Sequence, residues 1–186
     1  PKWLEFRRVL FRSKYEYNAG QISAMAGASL AHNLITGNCY GLLWSHLRGQ
    51  PCYPVNNDML LKTKEDSFRY PDLMVVCEDD PSSDSYVREN PLLIIEVLSN
   101  TTRRKDKTEK RAEYLNLPSV LEYLLIEQDF AEVQVQRRRH HWQPEYYYLG
   151  ESFYLESVSL EVKVLDIYER VGIADLKEFL QQVNGD

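Results

Sequence analysis

The sequence predicts an α/β domain: a mixed central sheet flanked by helices, with an antiparallel β extension. Three observations predict it. Two near-continuous apolar runs, Asp72–Cys77 (DLMVVC) and Leu92–Leu98 (LLIIEVL), have the make-up of central strands covered on both faces. Segments with helical periodicity lie before these runs and between LLIIEVL and another apolar run, Leu121–Glu127. Beyond Glu127 apolar and polar residues alternate, as in half-exposed antiparallel strands.

The elements follow in order. Tyr15–Met25 (YEYNAGQISAM) reads as a hairpin turning at Asn18-Ala19-Gly20, where glycine permits positive φ. Ser29 can cap a helix that runs to Gly49, with Leu34, Asn38 and Leu42 on one stripe and Ile35 and Leu43 beside it; Gly49 and Pro51 stop it. Gly37 and Gly41 cost that helix about 1 kcal/mol each against Ala. Close approach to a neighbouring element is the expected return. Cys52–Val55 and Asp58–Lys62 read as short strands, and the acidic, Ser-rich Glu78–Asn90 as an exposed loop. Asp106–Asn116 reads as a helix that ends before Pro118. Glu132–Arg139 alternates Val with Gln and Arg and is expected half exposed; Tyr146–Leu149 and Phe153–Leu155 continue the meander. Gly172–Gln182 closes the chain as a helix. No internal repeat or linker divides it.

At 186 residues a chain can bury a core without disulfide or metal staples. No apolar run is long enough to span a bilayer. The apolar stretches near the start are broken by Arg and Lys, so no secretory signal is read, and a cytoplasmic protein without membrane partners is expected. Cys39, Cys52 and Cys77 are widely spaced and odd in number, and are expected to be reduced, mostly buried thiols. The net charge of −6 excludes a general nucleic-acid coat. Charge is uneven, however. Thr101–Arg111 carries six Lys/Arg against two acids, and Glu151–Asp186 eight acids against three bases, so a polyanion would be met at one place. Residues 1–13 do not begin with Met, carry no readable chemistry, and include Val9–Ser13, which one frame of a sequencing adapter encodes. They are expected to be a non-native leader, leaving 14–186 as the domain, with −10 over residues 15–186.

Two acids stand out by position. Asp72 opens an apolar strand, and Glu96 is the one polar residue of LLIIEVL. An ionised carboxylate in a packed strand costs several kcal/mol unless it is paired, hydrogen-bonded or bound to metal. A buried ion pair with a later Arg and a ligand role explain Glu96 equally well. Asp106, Lys110 and Tyr114 are spaced by four and share one helix face. That spacing also suits a plain surface pair. No Gly-rich phosphate loop, Ser-His-Asp order or HExxH is present.

Taken together, Tyr70-Pro71-Asp72, Ile95-Glu96-Val97-Leu98-Ser99, then Asp106, Lys110, Tyr114 and Glu122-Tyr123 resemble the putative restriction endonuclease family of the PD-(D/E)XK nuclease superfamily. Tyr15-Glu16-Tyr17, Gly20, Met25–Ser29, His32, Asn33, Asp58-Met59 and Ile167-Tyr168 extend the likeness. The resemblance implies a restriction-endonuclease-like fold and hydrolysis of DNA phosphodiester bonds with Mg²⁺, or Mn²⁺ in its place. Asp72 and Glu96 would bind the metal, with Glu16 as a supporting acid. The superfamily lysine lies two residues after the motif acid, where this chain has Leu98; Lys110 is expected to replace it. His32, Asp106 and Tyr114 would support the site, and Arg103, Arg104, Lys105 and Lys107 would meet DNA. Arg137–Arg139 with His140-His141 is a further candidate for phosphate contact. Cutting a duplex takes two sites, so a homodimer is expected. Two rivals stand beside this reading: a nuclease acting on RNA or a branched substrate, and a nucleic-acid-binding or assembly module with a degraded site. Leu98 and the acidic net charge favour the latter.

Overall fold

The structure, a computed structural model, describes residues 15–18, 21–24 and 27–184. Its elements are β1 (Tyr15–Asn18), β2 (Gln21–Ala24), α1 (Leu30–Leu47), β3 (Cys52–Asn56), β4 (Leu60–Lys64), β5 (Ser67–Arg69), β6 (Leu73–Cys77), β7 (Val87–Arg88) and β8 (Leu93–Leu98). The helix α2 follows, built of an α-helical turn (Arg103–Lys105), a π-helical turn (Asp106–Lys110) and a further α-helical stretch (Arg111–Leu115). Then come β9 (Glu122–Glu127), β10 (Val133–Arg137), β11 (Pro144–Tyr147), β12 (Ser152–Leu155), β13 (Leu160–Lys163), α3 (Val164–Ile167) and α4 (Ala174–Asn184).

The central sheet has the order β11-β10-β9-β8-β6-β3. Only β8 and β9 pair in parallel; the other neighbours are antiparallel. Parallel neighbours need a crossover, and α2 supplies it. The sheet is apolar on both faces because both are covered. Leu73, Val75, Leu93, Ile95, Val97, Leu124 and Ile126 pack with Ile35, Cys39, Leu43 and Leu47 of α1. On the opposite face Met74, Val76, Ile94, Leu98, Tyr123 and Leu125 pack with Tyr114 and Val120. A second sheet, β2-β1-β5-β4-β7, meets this face through Leu61, and β12 pairs with β13 as a separate hairpin.

The mixed sheet, its flanking helices and the antiparallel extension are as expected, and several details differ. The buried stripe of α1 is Ile35, Cys39, Leu43 and Leu47, one residue on from the expected one. Leu34 and Leu42 pack beside it, and Tyr40 and Trp44 stack with ring centroids 5.9 Å apart. With apolar residues on several sides, periodicity alone does not choose the core face. Gly49 ends the helix at φ 75°, as its place required. Gly37 and Gly41 make no close approach: a Cβ at either would meet nothing within 4 Å. They line an open cleft beside Leu160, Asp166 and Glu169. The strands β5 and β13 and the short α3 were not expected, and β7 interrupts the loop Glu78–Asn90. The meander ends at β11, because β12 leaves for β13. Gln136 and Arg137, expected half exposed, are buried.

The cysteines require a correction. Cys39 is buried and free, and burial pushes its thiol up to about 12. Cys52 and Cys77, however, are joined in a disulfide across the β3–β6 ladder, where they are register partners. Their spacing in sequence hides that these two strands are neighbours.

Candidate active site

The β6–β8 ladder pairs Leu73 with Ile95. One step further along it, Asp72 faces Glu96, and directly opposite residues of antiparallel strands share a face. Asp72 sits where the chain enters β6. Its Oδ2 accepts the Val97 backbone N–H at 2.8 Å and a hydrogen bond from His32 Nε2 at 3.1 Å. His32 is held in the first turn of α1, whose N-cap Ser29 accepts the His32 N–H at 3.1 Å. Glu96 is 1% exposed. Its Oε1 accepts from Lys110 Nζ at 3.1 Å and from the Tyr114 hydroxyl at 2.8 Å.

The spacing of α2 brings these donors over the acids. In an unbroken α-helix, residues 106 and 114 would diverge by about 80° around the axis. The π-helical turn at Asp106–Lys110 winds more slowly and takes up that drift. Asp106, Lys110 and Tyr114 are therefore all buried on the same side. The Asp106–Lys110 pair is not the plain surface pair its spacing also allowed, since the two side chains are 2% and 7% exposed. Asp106 Oδ1 lies 3.1 Å from Lys110 Nζ but off the hydrogen-bonding direction, and no hydrogen-bond donor serves it among the described residues.

Electrostatics separates the two facing acids. Burial pushes the Asp72 carboxyl up, but the His32 hydrogen bond, the charges of His32 and Lys110 and the Val97 amide outweigh it. The net result lies below the usual carboxylate range. Glu96 goes the other way. Burial raises it well above the ordinary value, Asp72 and Asp106 add to that, and Lys110 and Tyr114 offset only part. Burial, aided by the same three acids, also drives the Tyr123 phenol well up; its hydroxyl donates to the Asp106 carbonyl at 3.1 Å.

Three carboxylates thus share one ammonium, and a buried acceptor oxygen has no hydrogen bond. That donor set fits a divalent cation taking oxygen ligands. Among the described residues no group of three or more His, Cys, Asp and Glu is arranged to hold a metal. The fit is therefore to an ion that takes one or two protein carboxylates and completes its shell elsewhere, as Mg²⁺ does.

The other expected residues are placed as follows. Glu16 is on β1, where the β1–β5 register leads it to the position opposite Arg69, on the second sheet; its side chain, like residues 1–14, lies outside the described residues. Arg103 and Lys107 point inward to Glu127, which is 3% exposed: Arg103 reaches it at 2.6 and 3.0 Å and Lys107 at 3.0 Å. Arg104 is exposed and Lys105 half-buried. The Arg137–His141 cluster is not an open phosphate patch. Arg137 pairs with Glu122 and Glu145, Arg138 donates to the Val120 and Leu117 carbonyls, Arg139 pairs with Glu156, and His140 with Glu145.

Sequence reasoning missed three features here: the Val97 amide on Asp72, Glu127 as an inward partner for the basic run, and a buried Arg69–Glu113 ion pair. Glu113 reads as one more charged residue of an amphipathic helix, and nothing local distinguishes it from Glu109, which is exposed.

Among the described residues no helix is long and apolar enough to cross a membrane. A crystal structure of "a putative nuclease belonging to DUF820" from Anabaena variabilis matches with a TM-score of 0.67, covering 84% of this chain and 90% of that chain at 20% identity. At that identity the likeness establishes the restriction-endonuclease-like fold. The Synechocystis protein described as uncharacterized protein slr1290 is 29% identical over 160 residues, covering 84% of each chain. A second Synechocystis protein, uncharacterized protein sll1609, is 38% identical over 118 residues, covering 62% of this chain and 67% of its own. The family model described as "Uma2: Putative restriction endonuclease" matches residues 3–166, starting within the stretch expected to be a leader. That span is most of the sequence, and the chain belongs to the Uma2 family of putative restriction endonucleases.

Proposed function

We propose that the protein is a Mg²⁺-dependent endonuclease that hydrolyses DNA phosphodiester bonds, with Asp72, Glu96 and Lys110 as its catalytic residues. One observation carries the reading: Lys110 Nζ stands 3.1 Å from Glu96 Oε1, supplying from the next helix the ammonium that Leu98 does not. Leu98 itself is packed in the apolar layer on the same face.

Asp72 and Glu96 would hold the ion, with Mn²⁺ able to replace Mg²⁺. When bound, it would polarise a phosphoryl oxygen and lower the pKa of the attacking water. The residues around it set the geometry. The Val97 N–H and His32 both hold Asp72 Oδ2, so Oδ1 would be the oxygen offered to the ion. Tyr114 holds Glu96 in one orientation. Lys110 can orient water or stabilise charge on the phosphate, since a buried lysine adapts its pKa readily. Asp106, 3.1 Å from Nζ, helps hold that ammonium in place. Glu16 would support the metal from β1. Arg104 and Lys105 would meet the DNA backbone directly, with Arg103 and Lys107 joining if they exchange Glu127 for phosphate. A homodimer would present two such sites to a duplex.

The test is cleavage of plasmid and oligonucleotide DNA, and of RNA, with Mg²⁺ or Mn²⁺, beside Asp72→Ala/Glu96→Ala. Metal-dependent DNA cleavage that the double variant loses is the expected result. Cleavage that survives the double substitution would refute the assignment of the site. DNA binding without cleavage under either metal would favour the binding module, which Leu98 in the lysine position supports.

A further inference from the structure

Arg69 and Glu113 lie outside the acid site yet connect both of its halves. Arg69 is on β5, three residues before Asp72; Glu113 is on α2, between Lys110 and Tyr114. The two side chains are 1% and 6% exposed. Arg69 Nε donates to Glu113 Oε2 at 2.9 Å and Nη2 to Oε1 at 2.6 Å, a fork-on-fork pair. Thr63 Oγ1 on β4 donates to Oε2 at 2.9 Å. The second sheet is thus tied to the helix that carries the site's donors.

Stability does not explain such a pair. Desolvation removes most of the Coulombic gain, and apolar replacements of similar volume are often as stable. A planar fork on a carboxylate, by contrast, accepts one orientation. Apolar contacts, which are non-directional, would let α2 settle anywhere along the sheet. Lys110 and Tyr114 both converge on the single atom Glu96 Oε1. A misplacement of about 1 Å at such a group can cost about 10²-fold in rate.

We infer that the Arg69–Glu113 pair is the positioning element of the site: it fixes where α2 stands over β6 and β8, and so holds Lys110 Nζ and the Tyr114 hydroxyl on Glu96. Its catalytic consequence rests on the nuclease reading; its structural consequence does not.

Two substitutions keep the charges and give up the fork: Arg69→Lys and Glu113→Asp. Whichever variants fold, by urea denaturation, decide the matter. The first readout is the acylation rate of Lys110 in the native protein, by mass spectrometry, with exposed Lys163 as the control. The second is kcat, KM and Mg²⁺ affinity. Lys110 is expected to label severalfold faster than in wild type, with Lys163 unchanged. In parallel kcat should fall about tenfold or more, with KM and Mg²⁺ affinity nearly constant. Wild-type labelling of Lys110 in a variant that merely unfolds at lower urea would overturn the inference and leave the pair a stabilising contact. Faster labelling with unchanged kcat would overturn the catalytic consequence. Faster labelling in a protein that never cleaves would refute the nuclease reading and uphold the positioning role.

Discussion

The disulfide between Cys52 and Cys77 makes the sharpest quantitative prediction. It closes a loop of 25 residues. Opening that loop returns conformational entropy to the unfolded chain, worth about 3.5 kcal/mol at 25 °C for this length. In a protein of this size each kcal/mol moves the melting midpoint by about 2–4 °C, so Cys52→Ala/Cys77→Ala should melt about 7–14 °C lower. The same loss should follow from reduction of the wild type and be absent when the double variant is reduced. The chemistry can be checked first. Unfolded without reductant, the protein should titrate one thiol, from Cys39, and three after reduction. Function should hardly respond, because β6 keeps its ladder with β8 from Leu73 to Val75 and Asp72 is at the other end of that strand. Three thiols without reductant, or a midpoint that ignores reduction, would refute the reasoning.

Lys110→Met should lower kcat by about 10²–10⁴ while calorimetry still detects Mg²⁺ binding, since the ammonium acts in the chemistry and not as a ligand. Glu113 predicts a pH dependence. Burial pushes its carboxyl up, but the Arg69 hydrogen bond and charge, Thr63 and Lys64 outweigh it, and it lies below the ordinary value. A depressed carboxyl stabilises the fold above its unfolded pKa and loses that contribution as pH falls through the folded one. The urea midpoints of wild type and Glu113→Gln should therefore converge as pH drops from neutral into the acid range; a constant gap would contradict this. Arg104→Ala should weaken DNA binding evenly across sequences and reduce the slope of log K against log salt by about 1, and an unchanged slope would remove Arg104 from the interface.

Much of this architecture is written in local pattern. LLIIEVL and LEYLLIE announce buried strands because each holds an unbroken run of four apolar residues, too short for a helix and too dense for a half-exposed strand. Glu96 stands out for the same reason, as a charge where the pattern allows none. The four-residue spacing of Asp106, Lys110 and Tyr114 predicts a shared face, and they share one. Features that depend on which strands become neighbours were not legible. The Cys52–Cys77 bond requires β3 beside β6, and the Arg69–Glu113 pair requires β5 beneath α2. No periodicity within either segment encodes those contacts. The basic run shows a related limit: its charge count does not reveal that two of its cations pair with the inward-facing Glu127. The runs at Arg137–His141 repeat the lesson, since acids from β9 and β11 and from Glu156 pair with them.

The π-helical turn has a consequence for how this chain can change. Thr108 and Glu109 project outward from it and are exposed, so their identities are free to drift where they meet no phosphate. Their number is constrained in one direction. Deleting one would let α2 relax to an unbroken α-helix in which Asp106 and Tyr114, then seven apart, lie within about 20° of each other, so the shared face survives. Inserting one would rotate Asp106 about 100° away from Lys110 and Tyr114, carrying the Arg103 turn with it. The π-helical turn is thus one residue of slack that the site can lose and cannot exceed.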